Sequence, residues 1–286
     1  MNPYVAFVNG LVQHHTAAQA LPLGGFSGPS GPAGRRDAPK VLIFSPHPDD
    51  ECVIGALPLR LMREQGMRVI NVAVTQGSRA DRQQARLAEL KAACHYLGFG
   101  LVQTSENGLA GINPKTRAQQ PALWRAAVEG IAAILRAQQP TAILFPHDAD
   151  RNTTHTGTHD LLVDALASMG TDFRCWTVET EFWGAMETPN LMVESSPEDV
   201  ADLVAALTFH VGEVQRNPYH VRLPSWMIDN VRRGAELVGA QGGAAPDFLF
   251  ATLYRLRRWQ EGGFDRAVAA GRFVGCLDDV GAPFGG

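Results

Sequence analysis

Seven consecutive residues, Ser45-Pro46-His47-Pro48-Asp49-Asp50-Glu51, follow directly on the apolar run Val41-Leu42-Ile43-Phe44. A short, continuously apolar run suits a parallel strand covered on both faces, which restricts the chain to layered α/β architectures. A histidine and adjacent carboxylates at the end of such a strand are costly unless a metal, a counter-charge or a substrate offsets them. A plain turn, with Asp50 capping the next helix, accounts for the prolines. It does not account for His47, Asp49 and Asp50 together.

The chain around this motif alternates in period. Strands are expected at residues 41–45, 68–75, 101–104, 141–145 and 176–182, with helices at 51–65, 80–97, 121–138 and 159–168. Gly66 and Gly98 suit helix C-caps, and Pro121 suits a first helical turn. Alternation of this kind predicts a mostly parallel sheet with right-handed crossovers. Beyond Cys175 the pattern loosens, and helices are expected at 197–208, 225–237 and 248–259. Residues 1–20 hold a short amphipathic stretch ending in the solvent-facing His14 and His15, and 21–40 read as a Gly/Pro-rich linker. The expected organisation is an extension and linker (1–38) and a single domain (39–286). Within that domain a sheet core (39–185) precedes a mainly helical elaboration (186–286).

Composition excludes several classes of function. A net charge of −4 offers no basic field for nucleic acid. The four cysteines are scattered without a C-x-x-C pair, which argues against a disulfide framework or a thiolate zinc site and fits a reducing cytoplasm. No apolar run approaches the ~20 residues needed to span a bilayer, and the N-terminus lacks the pattern of an export signal.

In open α/β sheets, ligands sit outside the carboxyl ends of the strands. Two polar clusters are expected there. One is His47, Asp49 and Asp50. The other is the loop from Pro146 to His159, which includes His147, Asp148, Asp150, His155 and His159. Together they offer a two-histidine, one-carboxylate metal site with open positions, a donor set that suits zinc and is also compatible with ferrous iron.

P-H-P-D-D-E after a strand, Arg86-x-x-Glu89 in the following helix and a downstream histidine pair resemble the LmbE/PIG-L family of metal-dependent N-deacetylases. The resemblance covers roughly residues 39–185. It implies a Rossmann-like sheet with helices on both faces and zinc-dependent hydrolysis of N-acetyl groups from small amino-sugar substrates of glucosamine type. Carried over by residue, it implies that His47 and Asp50 bind metal and that Asp49 is the general base. The family usually spaces its histidines H-x-x-H, whereas His155 and His159 stand one residue further apart. The Gly157-Thr158-His159 tail resembles a variant of that motif, which assigns His159 to the metal and His155 to the reacting carbonyl; the reverse order of roles stays open. The resemblance brings Arg86 near the substrate. His147 and Asp148 are further substrate-binding candidates; Asp148, Asp150, Arg151 and Asn152 read either as lining the sugar site or as solvating a loop, with the loop reading preferred.

Other chemistries fit less well. A nicotinamide-dependent dehydrogenase needs a glycine-rich first turn, and this turn has two carboxylates in place of glycine. A metal-dependent phosphoesterase would want a second metal or a basic clamp, for which only Arg79, Arg82 and Arg86 are at hand. A non-catalytic binding protein would have no use for an unliganded Asp49. Trp183, Tyr219, His220 and Trp226 read as a substrate platform or as packing aromatics.

Overall fold

The computed structural model describes residues 2–29, 37–265 and 270–285. Part of the segment read as linker lies outside the described residues. Five parallel strands, β1 (Lys40–Ser45), β2 (Arg68–Ala73), β3 (Gly100–Gln103), β4 (Ala142–Pro146) and β5 (Cys175–Thr180), lie in the order β3-β2-β1-β4-β5. The helices are α1 (Val5–Ala18), α2 (Asp50–Val53), α3 (Leu57–Gln65), α4 (Gln83–Leu97), α5 (Pro114–Gln119), α6 (Pro121–Gln138), α7 (Thr153–Ala167), α8 (Pro197–Leu207), α9 (Val211–Val214) and α10 (Leu223–Leu237).

Side-chain alternation on β1 divides the core in two. Val41 and Ile43 pack with residues of α3, α4 and α8, whereas Leu42 and Phe44 pack with residues of α6 and α7. Helices therefore cover both faces of the sheet. This is the α/β arrangement expected of alternating strands and helices.

The helix expected over 51–65 is interrupted. Gly55 adopts φ +82, and α2 ends before it while α3 starts after it. A Cβ at Gly55 would collide with Thr252 and with the Tyr254 hydroxyl, which donates to the Ile54 carbonyl at 2.5 Å. Pairing with a distant strand thus outweighs helical continuity here.

That strand corrects a second expectation. Residues 248–259 are not a helix: β7 (Ala251–Gln260) runs antiparallel to β5, with Cys175 opposite Trp259 and Thr180 opposite Tyr254. The spacing of Phe250, Leu253, Tyr254 and Leu256 imitates a helical stripe. Tertiary pairing decides the outcome. Glu179 on β5, fully buried, accepts from Arg255 at 2.6 Å and 2.7 Å and from Arg257 at 2.6 Å, and only an extended chain presents both arginines to one carboxylate. Strands β6 (Leu191–Glu194), β8 (Gly263–Phe264) and β9 (Arg272–Val274) complete a nine-stranded mixed sheet. The C-terminal part is therefore helix and strand together. Among the described residues no helix is long and apolar enough to cross a membrane.

Candidate active site

The order β3-β2-β1-β4-β5 reverses direction between β1 and β4, which are paired neighbours. Such a switch point leaves a crevice at the carboxyl ends of both strands. The two polar clusters follow those two strands, so the topology brings them together. Thr75, just beyond β2, braces the first: its hydroxyl donates to the Pro46 carbonyl at 2.7 Å.

Three lone-pair atoms converge there. His47 Nδ1 lies 3.1 Å from His155 Nε2, and Asp50 Oδ2 lies 3.4 Å from each. A tetrahedral zinc ion with N and O ligands at about 2.0–2.2 Å requires ligand–ligand edges of roughly 3.3–3.6 Å. The triangle is close to those dimensions, and the donor set suits a divalent ion. Burial alone would raise the Asp50 carboxyl, but the His155 and His47 rings hold it well below the usual carboxylate range. His155 has the reverse balance. Burial lowers it, yet Asp50 on one side and Asp150 on the other push it up to about 10. An imidazole gripped by two carboxylates is a site arranged for positive charge.

Asp49 stands outside this triangle. Its backbone takes φ 113, a left-handed conformation unusual for aspartate. Two contacts hold it: its N–H donates to Glu51 Oε2 at 3.0 Å, and the Tyr219 hydroxyl donates to its Oδ2 at 2.5 Å. Burial, then the charge of Asp50, raise its carboxyl to about 6 against the opposing pull of His210, Arg86 and Tyr219. Glu51, fully buried, accepts from His210 Nε2 at 2.7 Å. Glu51, Cys52 and His210 also crowd together, but His210 and the Cys52 thiol both already converge on Glu51 Oε1. Burial raises the Cys52 thiol well above its ordinary value. That cluster is a brace under Asp49.

The structure separates the histidine pair. α7 starts at Thr153, six residues earlier than expected, with Asn152 capping it through a bond from Thr154 N at 2.8 Å. His155 therefore falls in the first turn and faces His47 and Asp50. His159, one turn deeper, places Nδ1 3.0 Å from the Pro146 carbonyl and 3.4 Å from Glu179. The geometry groups His155 with the candidate metal ligands and leaves His159 out of that group. The apolar stripe that marks a helix begins only at Leu161, because the first turns face the site and neighbouring backbone. At Gly157 a Cβ would stand 2.5 Å from the Cα of Asn113.

Asp150, read as part of a solvated loop, is buried. Its Oδ2 accepts from the Trp183 and Gly184 backbones at 3.1 Å and 3.3 Å and lies 3.6 Å from His155 Nδ1. It stands behind the ring whose other side faces Asp50, a place where a carboxylate is common behind metal-bound histidines. Of the substrate-binding candidates, Arg86 does line the cavity, donating to the Pro48 carbonyl at 2.8 Å and standing 3.9 Å from Asp49. His147 does not: it is buried, its Nε2 donates to the Gly184 carbonyl at 2.8 Å and its Nδ1 accepts from Ala149. Asp148 pairs with Arg255 at 2.8 Å. Neither is among the residues lining the cavity over the site.

The cavity over the site measures about 350 Å³, and His47, Asp49, Asp50, Arg86, Trp183 and Tyr219 are part of its wall. Trp183 stacks edge-on against Tyr219 and Trp226. Tyr219 and Trp183 have no motif around them in the sequence. Only their aromatic character singled them out.

A switch-point crevice holding two imidazoles, a shared carboxylate and a second carboxylate beside them marks an α/β fold with a candidate metal centre. Residues 42–166 match the family model described as PIG-L, GlcNAc-PI de-N-acetylase, so the resemblance carried by the sequence motif holds across that segment. No curated protein matches the chain. Among solved structures, N,N'-diacetylchitobiose deacetylase from Pyrococcus horikoshii is similar with a TM-score of 0.55 at 16% identity, over 90% of this chain and 93% of that one. A teicoplanin deacetylase in its zinc-inhibited form gives 0.54 at 15%, over 80% and 99%. The 4-carboxy-2-hydroxymuconate hydratase from Pseudomonas putida KT2440 gives 0.55 at 18%, over 76% and 95%. These likenesses are of fold, and a fold shared by deacetylases and a hydratase leaves the reaction to be argued from the site.

Proposed function

We propose that this chain is a zinc-dependent hydrolase that removes an N-acetyl or other N-acyl group from a small amino-sugar substrate of glucosamine type. The observation that carries the reading is the triangle of His47, Asp50 and His155 with the uncoordinated Asp49 beside it. A divalent ion held by those three side chains supplies Lewis acidity, polarising a carbonyl and lowering the pKa of water. The match to a de-N-acetylase family model supports amide hydrolysis over other uses of the same fold.

The chain's own residues divide the remaining work. Asp49 faces the cavity as a carboxylate, takes the proton of the attacking water and returns it to the departing amine. Tyr219 and the Glu51 carboxylate fix its side chain and backbone, so the base is oriented before substrate arrives. Asp150 keeps the His155 ring turned towards Asp50. Trp183 offers an apolar wall to a sugar ring, and Arg86 stands beside the base. Zinc-loaded protein should release acetate from N-acetylglucosamine conjugates and lose that activity on chelation. Full activity in rigorously metal-free protein would sink the assignment.

A further inference from the structure

With His155 grouped among the candidate metal ligands, a hydrogen-bond donor to the reacting carbonyl has to come from another side chain. The hydroxyl and amide side chains lining the cavity are Gln76, Ser78, Asn152, Asn217 and Tyr219. Tyr219 is spent on Asp49. Gln76 is 1% exposed, and both polar atoms of its carboxamide are buried out of reach. Ser78 and Asn217 are held by no side-chain hydrogen bond among the described residues. Asn152 remains, and it is held.

Asn152 is the N-cap of α7. Its Oδ1 accepts from the Thr154 N–H at 2.8 Å, and its own backbone N–H donates to Asp150 Oδ1 at 2.8 Å. A carboxamide has one acceptor end and one donor end. With the oxygen fixed on the helix backbone, Nδ2 is turned away from it. That nitrogen has no partner among the described residues, and Asn152 lines the cavity beside His47, Asp49 and Asp50. Asn152 and His155 stand three apart at the helix start, a spacing that makes side chains neighbours with Cβ atoms roughly 5–6 Å apart. One helical turn thus presents a candidate metal ligand and a free, neutral donor to the same cavity. Capping uses the oxygen alone, and serine or aspartate would cap as well. The unspent amide N–H needs another use.

We propose that Asn152 Nδ2 is the oxyanion donor of the reaction. As water adds to the amide carbon, the carbonyl π pair moves onto oxygen, and the Asn152 N–H donates a hydrogen bond to that growing charge while keeping its proton. Proton traffic stays with Asp49. A donor fixed before the charge develops costs no reorganisation when it does. The carboxamide is also uncharged, so it adds no repulsion towards the candidate ion, as an imidazolium at this place would. This inference rests on the deacetylase reading and assigns a further residue of the same site.

The test separates donor from cap. Asn152→Ser keeps a capping oxygen and lacks the amide N–H. It should match the wild type in melting temperature and zinc affinity, yet lose about 10²–10³ in kcat on methyl N-acetylglucosaminide, with KM little changed. Asn152→Ala should lose both melting temperature and rate. Full kcat in Asn152→Ser overturns the proposal. Loss of zinc in that variant overturns it too, since Asn152 would then be a prop for His155. A second measurement needs no turnover. Acetate offers the site carboxyl oxygens like those of the reacting group, and calorimetry on zinc-loaded protein should find it bound about tenfold more weakly by Asn152→Ser, the scale of one hydrogen bond. If the wild type releases no acetate from any N-acetylglucosamine conjugate, the deacetylase reading fails on its own. The acetate titration still decides the donor: weaker binding in Asn152→Ser upholds it, and equal binding overturns it.

Discussion

Asp49 and Asp50 are adjacent in sequence and opposite in situation: one is clasped by imidazoles, the other by a tyrosine and a backbone bond to Glu51. Asp49→Asn should cut turnover by about 10²–10⁴, the usual contribution of a positioned base, with metal content retained. Asp50→Ala should lose metal and activity together. Elemental analysis of both variants decides this, and equal loss of metal would refute the division of labour. His155→Ala should likewise lose metal, whereas His159→Ala should keep it. The motif at 45–51 was legible because three ionisable groups after an apolar strand have few uses. Which histidine joins it was not, because a spacing of four sets both on one helical face. Only the helix start at Thr153 separates them, and the cap that sets it is a single asparagine in a loop crowded with polar residues.

At the scale of elements, α7 carries the site, and Gly157 lets it approach the backbone at Asn113. Gly157→Ala should destabilise the protein by about 1–3 kcal/mol through overpacking, despite alanine's better helix propensity. It should also weaken metal binding, since the displaced helix carries His155. Urea denaturation and metal titration check the two effects; a stabilised variant would show that the contact yields freely. The parallel strands and their helices were readable because their apolar runs serve a core next to them in sequence. β7 was not. Its identity depends on Glu179, some 76 residues earlier, which neutralises Arg255 and Arg257 inside the sheet. No local period encodes a partner that far away.

Taken as a whole, the molecule ties its C-terminal region to the motif at its first strand. His210 is fully buried against Glu51, and Tyr219 against Asp49. Burial pulls the His210 pKa down, but the charges of Glu51, then Asp49, outweigh it and leave the value raised. A histidine whose pKa is higher folded than unfolded contributes stability below its unfolded pKa of about 6.5 and loses it as pH rises through the folded value. His210→Gln should therefore lower the unfolding temperature more at pH 6 than at pH 9. A deficit that is constant with pH would mean that the ring acts by packing alone.

The strand β7 has one more consequence, and it concerns time. The outer edge of β5 stays open until residues 251–260 exist, and the Asp49 side chain is not held until Tyr219, 170 positions later, has docked. Contacts that span so much chain form late and slowly, since loop closure must precede them. A nascent chain on the ribosome can assemble β1 to β4 with their helices while the base at Asp49 still lacks its clamp. Competence is thus the last property the polypeptide acquires. On refolding from urea, helical circular dichroism should recover ahead of hydrolytic activity, and activity should return only with the slowest phase.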